Sequence, residues 1–110
     1  MLHIPKLLAG GWRDLRFDPF REGIDIAWLR KGTPGIAVLR YRPEASVPLH
    51  MHPDVEMILV LDGAQSDENA KFAAGDVVIN APGSQHSVIS KEGCVVLLVW
   101  SQPVVFLDAS

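Results

Sequence analysis

Cysteine is almost missing from this chain: Cys94 is alone among 110 residues. A single thiol closes no intrachain disulfide and builds no cysteine-rich zinc site. Positive charge is also short. Ten Lys+Arg against thirteen Asp+Glu leave a net charge of −3 with no basic stripe, which argues against a grip on nucleic acid. No apolar run is longer than Cys94–Trp100, far too short to cross a bilayer. The opening Met1–Lys6 lacks the charged region and long apolar stretch of a secretory leader, so a cytoplasmic location is the expectation, with no membrane partner. Phosphate-cradling loops, dinucleotide fingerprints and the G-x-S-x-G nucleophile elbow do not occur.

What is present is one domain's worth of sequence, 48% hydrophobic and 21% charged, which excludes a disordered or coiled-coil chain. Residues 1–22 carry no clear period and are broken by Pro5, Gly10-Gly11 and Pro19. Trp12, Leu15, Phe17 and Phe20 still need burial, so this stretch reads as an arm packed on the main body or on a partner subunit. From Gly23 to the end at Ser110, short Val/Ile/Leu runs alternate with Gly, Pro, Asp and Ser turns. Strands are expected around 24–28, 36–42, 47–52, 55–61, 71–72, 77–80, 86–90, 94–100 and 103–107, with a hairpin at Asp62-Gly63. About eight or nine short strands without a helix fit an all-β jelly-roll barrel over 23–110.

Within that pattern sits one chemical constellation. His50 and His52 are two apart on an expected strand, so both rings point to the same face. Glu56 follows a short Pro53-Asp54-Val55 turn and shares a face with Ile58 and Val60. If that face is inward, its carboxylate meets the two rings. His86 comes one hairpin later, past Pro82-Gly83, where a barrel brings its strand alongside. Three imidazoles and one carboxylate form a first-row metal site. One divalent ion per chain is expected, zinc or iron first, with manganese or nickel also compatible. His3 lies outside the pattern, in the arm.

These residues resemble the cupin superfamily. His50-Met51-His52, Glu56 and Gly63 look like its first motif; Gly75 followed by Gly83-Ser84-Gln85-His86 looks like its second. Within it, Leu59–Gly63, Ser66-Asp67-Glu68, Ala74-Gly75, Pro82-Gly83-Ser84 and Gly93-Cys94 resemble the ChrR-like cupins. The resemblance implies a single-domain cupin jelly-roll barrel whose metal ligands are His50, His52, Glu56 and His86. Related cupins include dioxygenases that cleave acetylacetone, whereas the cupin of ChrR is a zinc-binding regulatory module. Cupins of this size are commonly dimers, so a homodimer is expected through the arm and the Pro103–Leu107 edge. Three positions depart from the family pattern: Glu44 replaces the usual opening glycine, Ala81-Pro82 shifts the second motif's proline, and Ser90 replaces its final asparagine. The chain also shows no histidine-and-cysteine zinc domain of the kind ChrR uses on its sigma factor, so anti-sigma activity is not carried over.

Three functions follow, the plainest being a storage or structural barrel in which metal merely stabilises the fold; the other two use the metal. In one, the chain is a non-catalytic metal module that senses or binds a small ligand. In the other, it is a metal-dependent dioxygenase acting on a small dicarbonyl compound, with Glu56 as ligand or base. Arg40 is the candidate substrate handle, Tyr41 a candidate hydrogen-bond donor, and Gln65 and Asn80 candidate supports of the ligands. Asp67-Glu68 reads as a solvated turn, and Cys94 as a small buried hydrophobe.

Overall fold

The computed structural model describes residues 1–107. Two short 3₁₀ turns (Leu7–Ala9 and Gly11–Asp14) precede ten strands: β1 (Asp18–Arg21), β2 (Ile24–Arg30), β3 (Gly35–Tyr41), β4 (Ala45–Met51), β5 (Glu56–Ser66), β6 (Lys71–Ala73), β7 (Val77–Asn80), β8 (Gln85–Ser90), β9 (Cys94–Trp100) and β10 (Val105–Phe106). No described helix is long and apolar enough to cross a membrane. β1 lies within the arm and pairs antiparallel with β2, an element its proline-containing sequence does not signal.

The strands form one curled antiparallel sheet in the order β1-β2-β3-β9-β5-β8-β4-β10, with β6 and β7 also paired to β5. β5 is the strand that bends it. Its first half runs between β7 and β9, with Glu56 opposite both Asn80 and Trp100; its end pairs with β6 and touches β8 through Ser66 and Ile89. The expected hairpin at Asp62-Gly63 is therefore not a chain reversal. The ladder with β9 carries a bulge between Val60 and Asp62, and Gly63 adopts a left-handed φ of 69°. An Asx-Gly pair supplies the same backbone freedom to a bulge as to a two-residue turn. A Cβ on Gly63 would stand 2.2 Å from the Gly93 carbonyl oxygen, so the strands approach closely there because the residue has no side chain.

The two ends of the sheet, β1 and β10, have no backbone ladder between them. They meet through side chains instead: the Arg21 guanidinium lies 4.6 Å above the Phe106 ring. The seam there also borders the interior cavity, which Phe20, Arg21 and Phe106 line together with His50, Glu56 and His86.

Burial falls into two layers. Inside the curl, Ile24, Ile26, Leu39, Ile58, Val60, Val88, Val96 and Leu98 make the main core. On the outer face of the sheet, Trp12 packs with Ala27, Val38, Leu61 and Val95, with Leu7, Leu15 and Phe17 against them. The arm thus covers apolar surface on its own chain, which is why β3 and β9 read as near-continuous apolar runs rather than alternating ones. Cys94 is buried in the core, and burial pushes its thiol up to about 11, so it stays protonated at neutral pH.

Glu44 takes the place of the family's opening glycine and holds the glycine-like conformation, with φ of 73°. An L-residue pays roughly 1–2 kcal/mol there. Opposite effects are therefore expected at two turns. Gly63→Ala lowers unfolding free energy by about 2 kcal/mol or more, because backbone conformation and a backbone clash add. Glu44→Gly leaves stability unchanged or raises it by up to about 1 kcal/mol. Urea unfolding of the two variants checks the signs.

Candidate metal centre

β4 carries His50, and His52 follows one residue past its end. β8 carries His86, directly opposite His50 in the β4–β8 ladder. All three side chains are buried. Their rings pack edge-on in a triangle with centroid separations of 5.1, 4.7 and 4.8 Å. One nitrogen from each ring lies within 4.8 Å of the others, so the three can hold a metal ion.

The outward nitrogens explain the inward ones. His50 Nδ1 lies 2.9 Å from the Pro48 carbonyl oxygen, and His52 Nδ1 lies 3.1 Å from the Ser84 carbonyl oxygen and 3.0 Å from Ser84 Oγ. His86 Nδ1 lies 3.1 Å from Asp67 Oδ2. Carbonyl and carboxylate oxygens only accept, so each Nδ1 carries the hydrogen and donates it. In a neutral ring that leaves a bare lone pair on Nε2. His52 Nε2 and His86 Nε2 are buried and have no hydrogen-bond partner. Two orphaned acceptors facing one another are costly unless something electrophilic sits between them. The donor set and the orphaned atoms fit a divalent cation.

Glu56 opens β5 and accepts from Asn80 Nδ2 at 2.9 Å. Its carboxylate oxygen also stands 3.2 Å from His52 Nε2, so with the His52 hydrogen on Nδ1 two acceptors meet there, a clash that a cation between them or a proton on Nε2 relieves. Burial pushes its carboxyl up, but His52, the Asn80 amide and His50 outweigh that and hold it below the usual carboxylate range. Burial pushes the His50 imidazole down, and the neighbouring rings add to this against the Pro48 carbonyl and Glu56. Both shifts favour the states that ligate metal.

The turns between strands do the positioning. Ser84 Oγ donates to the Ala81 carbonyl while the Ser84 carbonyl accepts from His52, and Gly83 N–H donates to the His52 carbonyl. The Asp67-Glu68 turn, expected to be solvated, instead clamps β8. Asp67 holds His86, and the Glu68 carboxylate accepts from the Ser87 backbone and hydroxyl. Asp67 also caps its own turn, accepting from Asn69 and Ala70 N–H. Burial pushes its carboxyl up, but these donors and His86 outweigh it, so Asp67 stays ionised.

Tyr41 and Gln65 line the cavity next to the histidines, and Asn80 reaches Glu56. Burial pushes the Tyr41 phenol far up, which keeps it protonated. Arg40 is not in the cavity. It points to the outer face, pairs with Asp25 at 3.1 Å and stacks 4.1 Å over Phe17. Because both faces of β3 are apolar, alternation alone does not tell inward from outward at Arg40. The basic side chain at the cavity is Arg21, hidden from sequence reasoning by its place in the arm. His3 is exposed and remote from the cluster.

A curled antiparallel sheet holding three converging histidines defines a cupin. Residues 8–105 match the ChrR Cupin-like domain, and the chain belongs to that family. It is 34% identical over 96 residues to the anti-sigma-E factor ChrR of Cereibacter sphaeroides, covering 84% of this chain and 45% of that protein. The chain thus spans less than half of that relative's length. Among solved structures, the complex of Rhodobacter sphaeroides SigE with the anti-sigma ChrR aligns with a TM-score of 0.75 at 28% identity, covering 86% of this chain and 54% of the other. An acetylacetone dioxygenase from Acinetobacter johnsonii aligns with a TM-score of 0.79 at 16% identity, covering 84% and 72%, a likeness of fold.

Asp67 would act on a bound metal through the His86 ring, which it holds at 3.1 Å. Asp67→Ala is expected to weaken zinc binding by about ten- to a hundredfold, and Asp67→Asn, which keeps an acceptor, by less. Competition with a chromophoric chelator measures both.

Proposed function

We propose that this chain is a metal-centred small-molecule-binding cupin in which His50, His52, His86 and Glu56 hold one divalent ion, zinc or iron. The observation that supports this reading is the set of three Nδ1–H donors turned to Pro48, Ser84 and Asp67, which leaves each Nε2 lone pair free in a cluster whose ligand nitrogens lie within 4.8 Å of one another. Three neutral imidazoles and one carboxylate around a divalent ion leave a net charge near +1. Such an ion acts as a Lewis acid toward an oxygen ligand. The cavity beside it is small, about 80 Å³, and its walls are mostly aliphatic and aromatic side chains. That is room for roughly five to eight water-sized groups.

The metal reading is tested by content and stability together. Protein purified without chelator should carry close to one equivalent of zinc or iron, and His86→Ala should lose it. Zinc at a hundredfold over its dissociation constant should stabilise the wild type by about 2.7 kcal/mol and leave His86→Ala unmoved. Affinity should fall as the solution is acidified, because protons compete with the metal for the ligand atoms, and the lowered His50 and Glu56 push that loss toward more acidic pH. A His86→Ala protein that retains stoichiometric metal would refute this ligand set.

A second reading is favoured by the cavity itself, because a purely structural zinc site leaves no space beside the ion. In that reading the iron form oxidatively cleaves a small dicarbonyl compound. Tyr41 donates a hydrogen bond to the substrate, the apolar walls exclude water, and the ionised Glu56, steadied by Asn80, takes the substrate's acidic proton. Oxygen consumption by the iron-loaded protein with 2,4-pentanedione above the metal-free background supports it; background rates remove it and leave the binding module.

A further inference from the structure

The cavity beside the histidines carries one permanent cation, and its position is unusual. Arg21 ends β1, the last strand on one side of the curled sheet, and its guanidinium rests on Phe106 of β10, the last strand on the other side. The Phe106 ring stacks in turn near His50, with centroids 5.9 Å apart. One aromatic ring therefore separates the guanidinium from the histidine triangle. Among the described residues, Arg21 makes no ion pair, whereas Arg40 and Arg42 share Asp25 on the outer face. Arg21 lines the same cavity as His50, His86, Tyr41 and Gln65, and the intervening walls are Leu39, Ile58, Val88 and Leu98.

We propose that Arg21 is the anion handle of this cavity and that its ligand is a small monocarboxylate whose short apolar body lies against Leu39, Ile58, Val88 and Leu98. The planar guanidinium fork matches a carboxylate in two parallel hydrogen bonds. Stacking on Phe106 holds the plane of the fork and leaves its edge free for those bonds. The cavity volume admits only a few heavy atoms, which is too little for a phosphate ester with an organic body. Tyr41, protonated, and Gln65 supply neutral polar groups for a second oxygen on the ligand. The handle sits at the seam of the sheet, where the strand ends are joined by side chains and a ligand can enter without breaking backbone hydrogen bonds.

This proposal rests on the metal-centred reading above, and its test keeps the two apart. Zinc content is first measured in wild type, Arg21→Gln and Arg21→Lys. The zinc-loaded proteins are then titrated calorimetrically with 2-methylpropanoate and with its neutral isostere 2-methylpropanamide. The expected result is saturable binding of the carboxylate by wild type, at least tenfold tighter than the amide. Arg21→Gln should lose that preference by weakening the carboxylate alone, and Arg21→Lys should keep part of it. Equal affinity for the two probes, no binding of the carboxylate, or carboxylate binding by Arg21→Gln as tight as wild type each overturns the proposal. The last outcome would place the carboxylate on zinc alone. Protein that holds neither zinc nor iron and takes up neither on loading refutes the metal reading; zinc-loaded protein indifferent to Arg21 refutes only this one.

Discussion

Everything at this site depends on where three protons sit. The Nδ1 atoms of His50, His52 and His86 each face an oxygen that can only accept, or do so through a carbonyl supported by a hydroxyl. The hydrogens are thereby drawn to the outer side of the rings, and the lone pairs are left to the inner side. The same rings turned over would present N–H to N–H and hold no cation. Orientation, rather than the mere presence of three histidines, makes the cluster a ligand set.

The fold exists in the form that supplies those acceptors. β5 carries a bulge between Val60 and Asp62 and a left-handed Gly63, and this one strand pairs with β7 and β9 at its start, where Glu56 lies, and with β6 and β8 at its end. The Ala81–Ser84 turn is tied to the chain at His52, and the Asp67–Ala70 turn folds over β8 to reach His86. The arm covers the outer face with Trp12 and then contributes β1, whose last residue, Arg21, returns to the cavity. Stability and site are thus built from the same few contacts, and the seam between β1 and β10 borders the cavity.

How far this was legible in the sequence follows from the range of each signal. The meeting of His50, His52 and His86 is legible because strand alternation and a turn followed by a strand are local signals, and Glu56 comes to the same cavity by the same alternation. Asn80 was readable as a support, although only the register opposite Glu56 shows what it supports. Asp67 and Arg21 were not readable in their roles. Asp67 looked like a solvated turn because its partner lies on a distant strand, and Arg21 belongs to a stretch with no period. Alternation cannot place Arg40 because β3 is apolar on both faces, and Asp62-Gly63 carries the signature of a hairpin because irregular strand pairing and a tight turn ask for the same residues. Local chemistry survived the reading; long-range pairing did not.

The most direct measurement is the tautomer of each ring. Long-range ¹H–¹⁵N correlation spectra of the metal-free protein at neutral pH should show His50, His52 and His86 with the hydrogen on Nδ1 and an unprotonated Nε2, and added zinc should shift the Nε2 signals of all three. Rings carrying the hydrogen on Nε2, or Nε2 signals unmoved by zinc, would contradict a metal centre built on this geometry.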